Sequence, residues 1–390
     1  MPDQFTESVT TGYGSRIVDS IKGVIFGFIL FIASFGLLYW NEGRVDLSTI
    51  AKTAITIPSA TVSTDVNMQG KLVSTTGVVK SNEMIGDGLY VKPDAFIAVE
   101  RTTEMYAWVE KEESKTTKNI GGSETKETTY TYTKEWTENP KAASDFKHPE
   151  GHENPTKLVE SSVNKVTAAT IGAYGIDMTS VELPSYEALP LSEENTEPDS
   201  MISLANKDYL FINQGETTST YQAPSLGDVR ISYHVLKSGF TGTLFGALNG
   251  EKVDSYTDQA VNSLYRVFAG TREQGISTLH AEYTMMLWIL RVLGFFLMWG
   301  GLAALFGPIS VLLDILPIFG AISRSVIGLV AGAVSLVLTI VTILVSMIAH
   351  SMIAVVVALA LAIAGMIAFV VHLKRARAAS MATTSAAPKA

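Results

Sequence analysis

The 390-residue chain contains no cysteine, which excludes disulfides, thiolate metal sites and cysteine nucleophiles. Charged residues are scarce as well, at 17% of the sequence, and the mean hydropathy is positive at +0.25. This balance is typical of a chain with membrane spans rather than of a soluble protein. Acidic residues outnumber basic ones, and the resulting net charge of −9 argues against nucleic acid as a partner.

Catalytic motifs are missing too. The sequence has no Gly-x-Ser-x-Gly, no His-Glu-x-x-His and no Walker loop. Residues 148–153 (HPEGHE) have a metal-like composition, but Pro149 and Gly151 oppose the helix that would align His148 with His152. We therefore expect no catalytic residue, no cofactor and no bound metal, and hence a protein that is not an enzyme.

Long apolar runs predict four transmembrane helices, at residues 23–40, 285–306, 325–349 and 352–373. The first run ends in Tyr-Trp-Asn-Glu instead of the small residues that a signal peptidase cleaves, so we expect a retained anchor. Only two residues separate the last two runs, which predicts an antiparallel hairpin.

Basic residues flank the cytoplasmic ends of membrane helices. Arg16, Lys22, Arg324 and the cluster that begins at Lys374 all fall on one side if the chain has four spans. Residues 1–22 and the basic tail 374–390 are therefore expected to be cytoplasmic, in a multi-pass integral membrane protein.

The same topology places residues 41–284 on the extracytoplasmic side. This segment carries 34 acidic and 21 basic residues, which suits a well-solvated exterior. Between the second and third spans, residues 307–324 contain Pro308, Asp314 and Pro317 within apolar sequence, which predicts an amphipathic elbow in the cytoplasmic interface.

Residues 41–284 have the alternation that is typical of β-strands. Residues 104–110 are predicted to pair with residues 128–136 in a long hairpin, whose polar tip contains Gly121 and Gly122. Residues 159–173 fit a helix or a strand, whereas residues 273–283 predict a helix that continues into the second span.

Two stretches at an offset of 157 residues, 70–81 and 227–238, share several positions and suggest two similar β units. The predicted fold class is thus an α+β membrane protein: four transmembrane helices plus a large extracytoplasmic β-rich domain.

Arg291 lies within the second predicted span, and its position allows two interpretations. It either extends to the exterior interface or pairs with Glu42 at the end of the first span, which would lock the anchor to the C-terminal helices. Gly23-x-x-x-Gly27 and Gly328-x-x-x-Gly332 have the spacing that lets membrane helices approach closely, between chains or within one chain.

Islands of sequence along the chain resemble the transmembrane protein 43 (LUMA) family. They comprise Asn41-Glu42-Gly43-Arg44, Glu104-Met105-Tyr106-x-Trp108-Val109-Glu110, Glu112-Glu113-Ser114, Lys126-Glu127-Thr128, Tyr130-x-Tyr132, Glu135-Trp136, Gly151-His152-x-Asn154-Pro155, Gly227-Asp228-x-Arg230, Trp288-x-x-Arg291-x-x-Gly294 and Asp314-x-x-Pro317. The islands keep the family's order, and one span, a large loop and three clustered spans are the family's layout.

The resemblance implies an oligomeric organiser of membrane protein complexes, which in animals resides in the endoplasmic reticulum and inner nuclear membrane with emerin and lamins. Ion conduction is also implied as an option, and no catalytic activity. The absence of cysteine and of N-glycosylation sites suits a bacterial homologue, for which the inner membrane is expected.

We accordingly expect a non-enzymatic, self-associating membrane scaffold whose partners are the lipid bilayer and other membrane or envelope proteins. The expected structural and assembly residues are Asn41, Glu42, Gly43, Arg44, Tyr106, Trp108, Trp136, His152, Asp228, Arg230, Arg291, Asp314, Pro317, Gly328 and Gly332. The first alternative is an oligomeric channel or small-solute conduit with hydroxyls of the third span along its path, at Ser335, Thr339, Thr342 and Ser346. The second alternative is a membrane-anchored enzyme.

Overall fold

The computed structural model describes residues 3–197, 202–214, 219–314 and 317–351, with the backbone alone for residues 317–324. The helices in these ranges are α1 (Tyr13–Glu42), α2 (Leu47–Lys52), α3 (Arg272–Leu305), α4 (Gly307–Leu313) and α5 (Pro317–His350). The first nine strands are β1 (Asp3–Thr11), β2 (Ile55–Thr56), β3 (Leu72–Lys80), β4 (Phe96–Lys118), β5 (Glu124–Thr137), β6 (Ser162–Lys165), β7 (Ala168–Ile171), β8 (Tyr174–Asp177) and β9 (Glu187–Ala188). The others are β10 (Ile202–Leu204), β11 (Leu210–Ile212), β12 (Val229–Lys237), β13 (Phe240–Asn249), β14 (Lys252–Asp254), β15 (Tyr256–Thr257), β16 (Ser263–Leu264) and β17 (Arg266–Ala269).

The chain divides into a β unit and a helical unit. The β unit comprises Met1–Thr11, Val45–Thr117 and Glu124–Tyr283, and the helical unit comprises Gly12–Arg44, Lys118–Ser123 and Thr284–Ala390. The predicted α+β class is therefore correct at this level.

Two sheets build most of the β unit. The larger sheet has the strand order β1-β5-β4-β12-β11-β10, with β6 on β4 and β9 on β12. The second has the order β17-β13-β14-β8-β7-β3-β2, and an extra pairing of β13 with β3 closes five of these strands into a ring. The ring holds a core that includes Val73, Ile171, Leu244 and Val253, all fully or almost fully buried.

The two similar stretches lie in different sheets but make equivalent pairings. β3 pairs with β13, and β12 pairs with β4, so each stretch pairs with the strand that follows the other stretch. The ends of β3 and β12 also meet directly, because the Ser81 amide donates to the Ser238 hydroxyl over 3.1 Å. The two similar stretches thus lie next to each other at their ends, and each pairs with the strand that follows the other.

A small third core lies where the β unit joins its helices. It includes Ala51 of α2, Phe245, and Ile276 and Leu279 of α3. The Arg272 guanidinium donates to the carbonyls of Ala51, Lys52 and Ala54 at the end of α2, and Asp46 caps the start of α2 through the Ser48 amide. α3 itself is continuous from Arg272 to Leu305, as predicted.

Three helices in the described residues are long and apolar enough to cross a membrane: α1, α3 and the part of α5 from Ser325 to His350. Their outer surfaces are apolar, as lipid contact requires, with Ile25 64% and Leu329 73% exposed. The fourth predicted span, residues 352–373, and the basic tail lie outside the described residues. The predicted elbow is shorter than expected, because α4 ends at Leu313 and α5 already begins at Pro317.

Strand β1 conflicts with the predicted topology. Asp3–Thr11 forms a nine-residue antiparallel ladder with residues 124–132 of β5, without a register shift. The basic residues predict that residues 1–22 and 41–284 lie on opposite sides of the membrane, whereas this ladder places residues 3–11 beside residues 124–132. The sequence does not reveal the pairing, because the partner strand lies more than a hundred residues away.

The β1–β5 ladder predicts a specific cross-link. The hydroxyls of Thr6 and Thr129 lie 3.2 Å apart across the ladder, so cysteines at both positions are expected to form a disulfide in membranes under mild oxidation. The chain has no other cysteine to compete. The matched control pairs Thr6 with Thr131, whose ladder partner is Gln4 and which lies diagonally at about 7 Å, too far for a disulfide. If the control pair cross-links as fast as the first pair, the register is wrong; if neither does, the N-terminus does not pair with β5.

Candidate functional site

The predicted pair between Glu42 and Arg291 forms in the structure. Arg291 donates from Nε and Nη2 to the two oxygens of the Glu42 carboxylate, over 2.8 and 2.7 Å. The Glu42 side chain is 4% exposed and that of Arg291 15%, so the pair is nearly buried and the guanidinium does not extend to the interface. Its charge also lies 5.0 Å from the Trp288 ring. A two-pronged pair of this kind fixes α1 against α3 in both distance and orientation.

The residues beside Glu42 add further contacts at the same end of α1. The buried Asn41 amide donates to the Leu287 carbonyl of α3 over 3.1 Å. Gly43 ends the helix, and a Cβ there would lie 2.4 Å from the His350 ring of α5, so this close approach requires glycine. The Arg44 guanidinium lies 5.8 Å from the Trp40 ring. The Asn-Glu-Gly-Arg segment thus joins three helices.

A second charged cluster lies at the opposite end of α1. Arg16 donates to the Asp314 carboxylate and to the Gly122 carbonyl, each over 2.5 Å, and Lys118 donates to the same carboxylate. Asp314 is 1% exposed. Asp314 was predicted as an assembly residue, but its contacts with Arg16 and Lys118 were not. Lys118 belongs to the hairpin tip, which was predicted on the other side of the membrane. Nothing is described for the Pro317 side chain.

One glycine of each predicted motif packs within the chain. Gly27 faces Gly301 and Ala304, with room for no side chain, and the Trp299 ring of α3 lies where a side chain at Gly332 would point. A side chain at Gly23 or Gly328 would meet nothing within 4 Å, although the Gly328 carbonyl accepts a hydrogen bond from the Trp299 indole nitrogen over 2.8 Å.

The hydroxyl stripe of α5 is mostly turned inward. Ser335, Thr339 and Ser346 are at most 5% exposed, whereas Thr342 is partly exposed and donates to the Leu338 carbonyl over 2.7 Å.

On the larger sheet of the β unit, Arg230 is the centre of an aromatic face. Its guanidinium forms a two-pronged pair with Glu104, over 2.6 and 3.0 Å, and lies 4.9 Å from the Trp136 ring and 4.7 Å from the Tyr209 ring. Tyr106 packs on Trp136 at 5.3 Å. Tyr221 stacks between Trp136 and Tyr209, at 6.4 and 5.8 Å. We call Arg230, Tyr106, Trp136, Tyr209 and Tyr221 the arginine–aromatic face; all five side chains are partly exposed.

Asp228 positions the strand that carries Arg230. Its buried carboxylate accepts hydrogen bonds from the Gln214 and Ser225 amides over 3.0 and 2.7 Å. Gly227 has a φ of +94°, a left-handed conformation that favours glycine, which explains the Gly-Asp pair.

Trp108 of β4 meets His152, which lies in the loop between β5 and β6. The His152 ring is 1% exposed, stacks on Tyr132 at 3.9 Å and meets Trp108 edge-on at 4.8 Å. The Asn154 side chain bonds both the amide and the carbonyl of Trp108. The His-x-Asn segment is therefore a structural turn, and within the described residues no group of three His, Asp or Glu side chains could hold a metal ion.

A buried polar network around Asp87 has no clear signal in the sequence. Asp87 accepts hydrogen bonds from the amides of Leu89, Tyr90 and Val91, from Arg101 and from the Tyr233 hydroxyl, the last two over 2.7 Å. Burial alone would raise the pKa of Asp87, but these donors outweigh burial and lower the pKa below its usual value. Gly86-Asp87-Gly88 was the only local signal, and it indicates a turn without naming the partners.

A comparison with known families assigns the chain to one of them. The sequence profile of the family "Transmembrane protein 43" matches residues 105–352, which is more than half of the chain. The chain belongs to the transmembrane protein 43 family. The predicted resemblance is thereby confirmed.

Individual members of the transmembrane protein 43 family align over most of their length. The Rattus norvegicus protein "Transmembrane protein 43" is 24% identical over 333 residues, which cover 80% of this chain and 81% of the relative. The Homo sapiens protein is 24% identical over 79% of each chain, and the Drosophila melanogaster homologue is 27% identical over 71% of this chain and 74% of its own. No solved structure matches significantly.

The matched region contains the arginine–aromatic face, Arg291 and Asp314, and it begins after Glu42. Family membership therefore identifies a membrane protein, and the family's name specifies no reaction, ligand or partner.

Proposed function

We propose that this transmembrane protein 43 homologue is a non-enzymatic, oligomeric membrane scaffold, whose β unit contacts further copies of itself and other membrane or envelope proteins. The observation that carries the proposal is the arginine–aromatic face. Tyr, Trp and Arg dominate the binding energy of protein interfaces, because they bury a large area and combine apolar contact with hydrogen bonding.

The arginine–aromatic face is also held in one conformation. Glu104 fixes the guanidinium of Arg230 from one side, and Asp228 fixes the start of its strand. A partner would therefore immobilise few additional rotamers on binding, which favours affinity. The helices contribute a stable base, because Glu42–Arg291 and Arg16–Asp314 tie α1 to its neighbours near both of its ends.

The channel alternative finds less support. The α5 hydroxyls at positions 335, 339 and 346 are buried among the helices of one chain, and the Thr339 hydroxyl lies 3.6 Å from the Met298 sulfur. Hydroxyls that are packed in this way do not line a water-filled path.

The proposal predicts that the double variant Trp136→Ala and Tyr221→Ala weakens self-association about tenfold or more, since each removes a partly exposed aromatic anchor. The dissociation constant is measured by dilution of fluorescently labelled protein in detergent, with circular dichroism as a check on folding. The matched control is Val66→Ala, at an apolar side chain that is 80% exposed elsewhere on the β unit. If the double variant folds and associates like the parent, or if the control weakens association equally, the face is not the interface.

A further inference from the structure

Strand β1 is held on the β unit by a pocket that contains two histidines. Phe5 stacks on His148 with ring centres 4.4 Å apart and meets Tyr132 edge-on at 5.9 Å. His152 lies beneath, between Tyr132 and Trp108. Each histidine also faces a carboxylate of β1: Asp3 lies opposite His152, and Glu7 lies opposite His148.

The hydrogen bonds of His152 determine where its proton is. Its Nδ1 lies 2.8 Å from the His148 carbonyl oxygen, and because a carbonyl can only accept, Nδ1 carries the hydrogen. In the neutral ring, Nε2 is then an acceptor. This Nε2 is buried without a hydrogen-bond partner, and the oxygen that faces it at 3.6 Å belongs to the Asp3 carboxylate, another acceptor. A second proton, on Nε2, would turn this opposed pair into a charge-assisted hydrogen bond.

His148 faces Glu7 of β1 in the same way that His152 faces Asp3. Its Nε2 is buried, has no hydrogen-bond partner, and lies 3.7 Å from one oxygen of Glu7. The other Glu7 oxygen lies 3.6 Å from the Lys147 ammonium, so Glu7 already has one cation nearby. Within the part of the chain that the structure describes, Asp3 forms an ion pair with His152 alone, which makes this pair the more responsive one.

The other titratable groups around the pocket add no excess of positive charge that would oppose a second proton on His152. From β5, Tyr132 donates its hydroxyl to Glu110 of β4; its pKa is raised to about 12, chiefly by burial and then by that carboxylate, so it stays neutral. Tyr130 also packs on His148 and stays neutral, since burial and the nearby Glu112 and Glu7 raise its pKa. The Lys134 ammonium of β5 lies 4.8 Å from the Trp108 ring, and Glu153 of the histidine loop accepts from the Gly151 amide. Carboxylates thus outnumber cations around the two rings.

We propose that β1 is a pH-dependent clasp, in which protonation of His152 and His148 fastens the N-terminal strand to the β unit. The imidazolium rings gain Asp3 and Glu7 as partners only while β1 is docked. Acidification that protonates the rings therefore favours the docked strand.

The backbone of β1 is held by its ladder with β5, but none of its nine side chains is buried, and Phe5 is 38% exposed. The strand carries Asp3 and Glu7 but no lysine or arginine, so its charge complements cationic histidines in addition to Lys147, which lies near Glu7.

The test measures docking directly. Spin labels on cysteines at Val9 of β1 and Val66, which are 61% and 80% exposed, report the distance between strand and β unit in the full-length protein in detergent. Pulsed electron paramagnetic resonance is recorded at a urea concentration that undocks half of the strand at pH 8. The ratio of docked to undocked strand is expected to be about fivefold higher at pH 5.5 than at pH 8.

Two substitutions identify the groups responsible. Asp3→Asn keeps the size of the side chain and is expected to abolish most of the rise, and His152→Gln should do the same. Glu150→Gln, in the histidine loop but not facing either ring, is the matched control and should respond like the parent. A docked fraction that ignores pH, a strand that never undocks below global unfolding, or an Asp3→Asn variant with the parent's response would each overturn the proposal.

Discussion

Replacing Arg291 by leucine is expected to lower the free energy of unfolding by about 3–5 kcal/mol, because the Glu42 carboxylate is left buried without its partner. Glu42→Leu should cost a similar amount for the converse reason. Both hydrogen bonds of the pair disappear in either variant. Thermal unfolding of the detergent-solubilised protein, followed by circular dichroism, measures the effect.

The double variant Glu42→Leu with Arg291→Leu distinguishes the loss of the interaction between the two side chains from the loss of each side chain by itself. Since neither charge is then left alone, its loss of stability is expected to be much smaller than the sum of the two single losses. Val292→Ala, one position along α3 on a side chain that is 51% exposed, is the control and should change little. Additive losses in the double variant would show that the two side chains act independently and that they do not lock α1 to α3.

Asp87→Ala is expected to destabilise the β unit by about 3–5 kcal/mol. It removes the acceptor of Arg101, of the Tyr233 hydroxyl and of three backbone amides at once, and leaves a buried guanidinium without its carboxylate. Urea unfolding followed by tryptophan fluorescence measures the loss. Asp177→Ala is the control: Asp177 also accepts several hydrogen bonds, from Thr179 and Ser180, but in an exposed turn, so its loss should be clearly smaller. Equal losses would mean that the buried hydrogen bonds of Asp87 stabilise the β unit no more than the exposed hydrogen bonds of Asp177 do.

The same carboxylate gives the β unit a defined response to acid. Because the pKa of Asp87 is lower in the folded protein than in the unfolded chain, the unfolded chain binds the proton first. The contribution of Asp87 is therefore fully present above its unfolded value of about 3.9 and is lost as the pH falls through the folded value. Asp87→Asn should flatten this acid limb of the stability curve; a limb as steep as the parent's would assign the acid response to other groups.

Features that depend on a local sequence pattern, or on how a charged side chain within a span is solvated, can be predicted from the sequence. The β4–β5 hairpin follows from alternation on both sides of a polar tip with two glycines, and α3 follows from continuous helical spacing. The Glu42–Arg291 pair was foreseen as one of two options, because an ionisable side chain within a span needs either the interface or a partner. Arg230 and Asp228 were marked through family resemblance, not through any spacing that reveals their contacts.

Long-range pairings were not accessible. Asp87 and Arg101 are 14 residues apart and Tyr233 lies 146 residues beyond Asp87, and a single sequence does not show which acidic residue meets which base. β1 is polar and far from β5 in the chain, so the sequence does not reveal that the two strands pair. The six-residue helix α2 is too short for periodicity to reveal, although Asp46 before Ser48 is a helix-capping signal that was present.

The mass of the purified protein in mild detergent, from light scattering corrected for bound detergent, tests the proposed scaffold most directly. The account predicts one defined assembly of several 42.0 kDa chains that persists on dilution into the micromolar range. A single chain at every concentration and in every mild detergent would contradict self-assembly, and with it the proposal that this membrane protein works as an oligomeric scaffold.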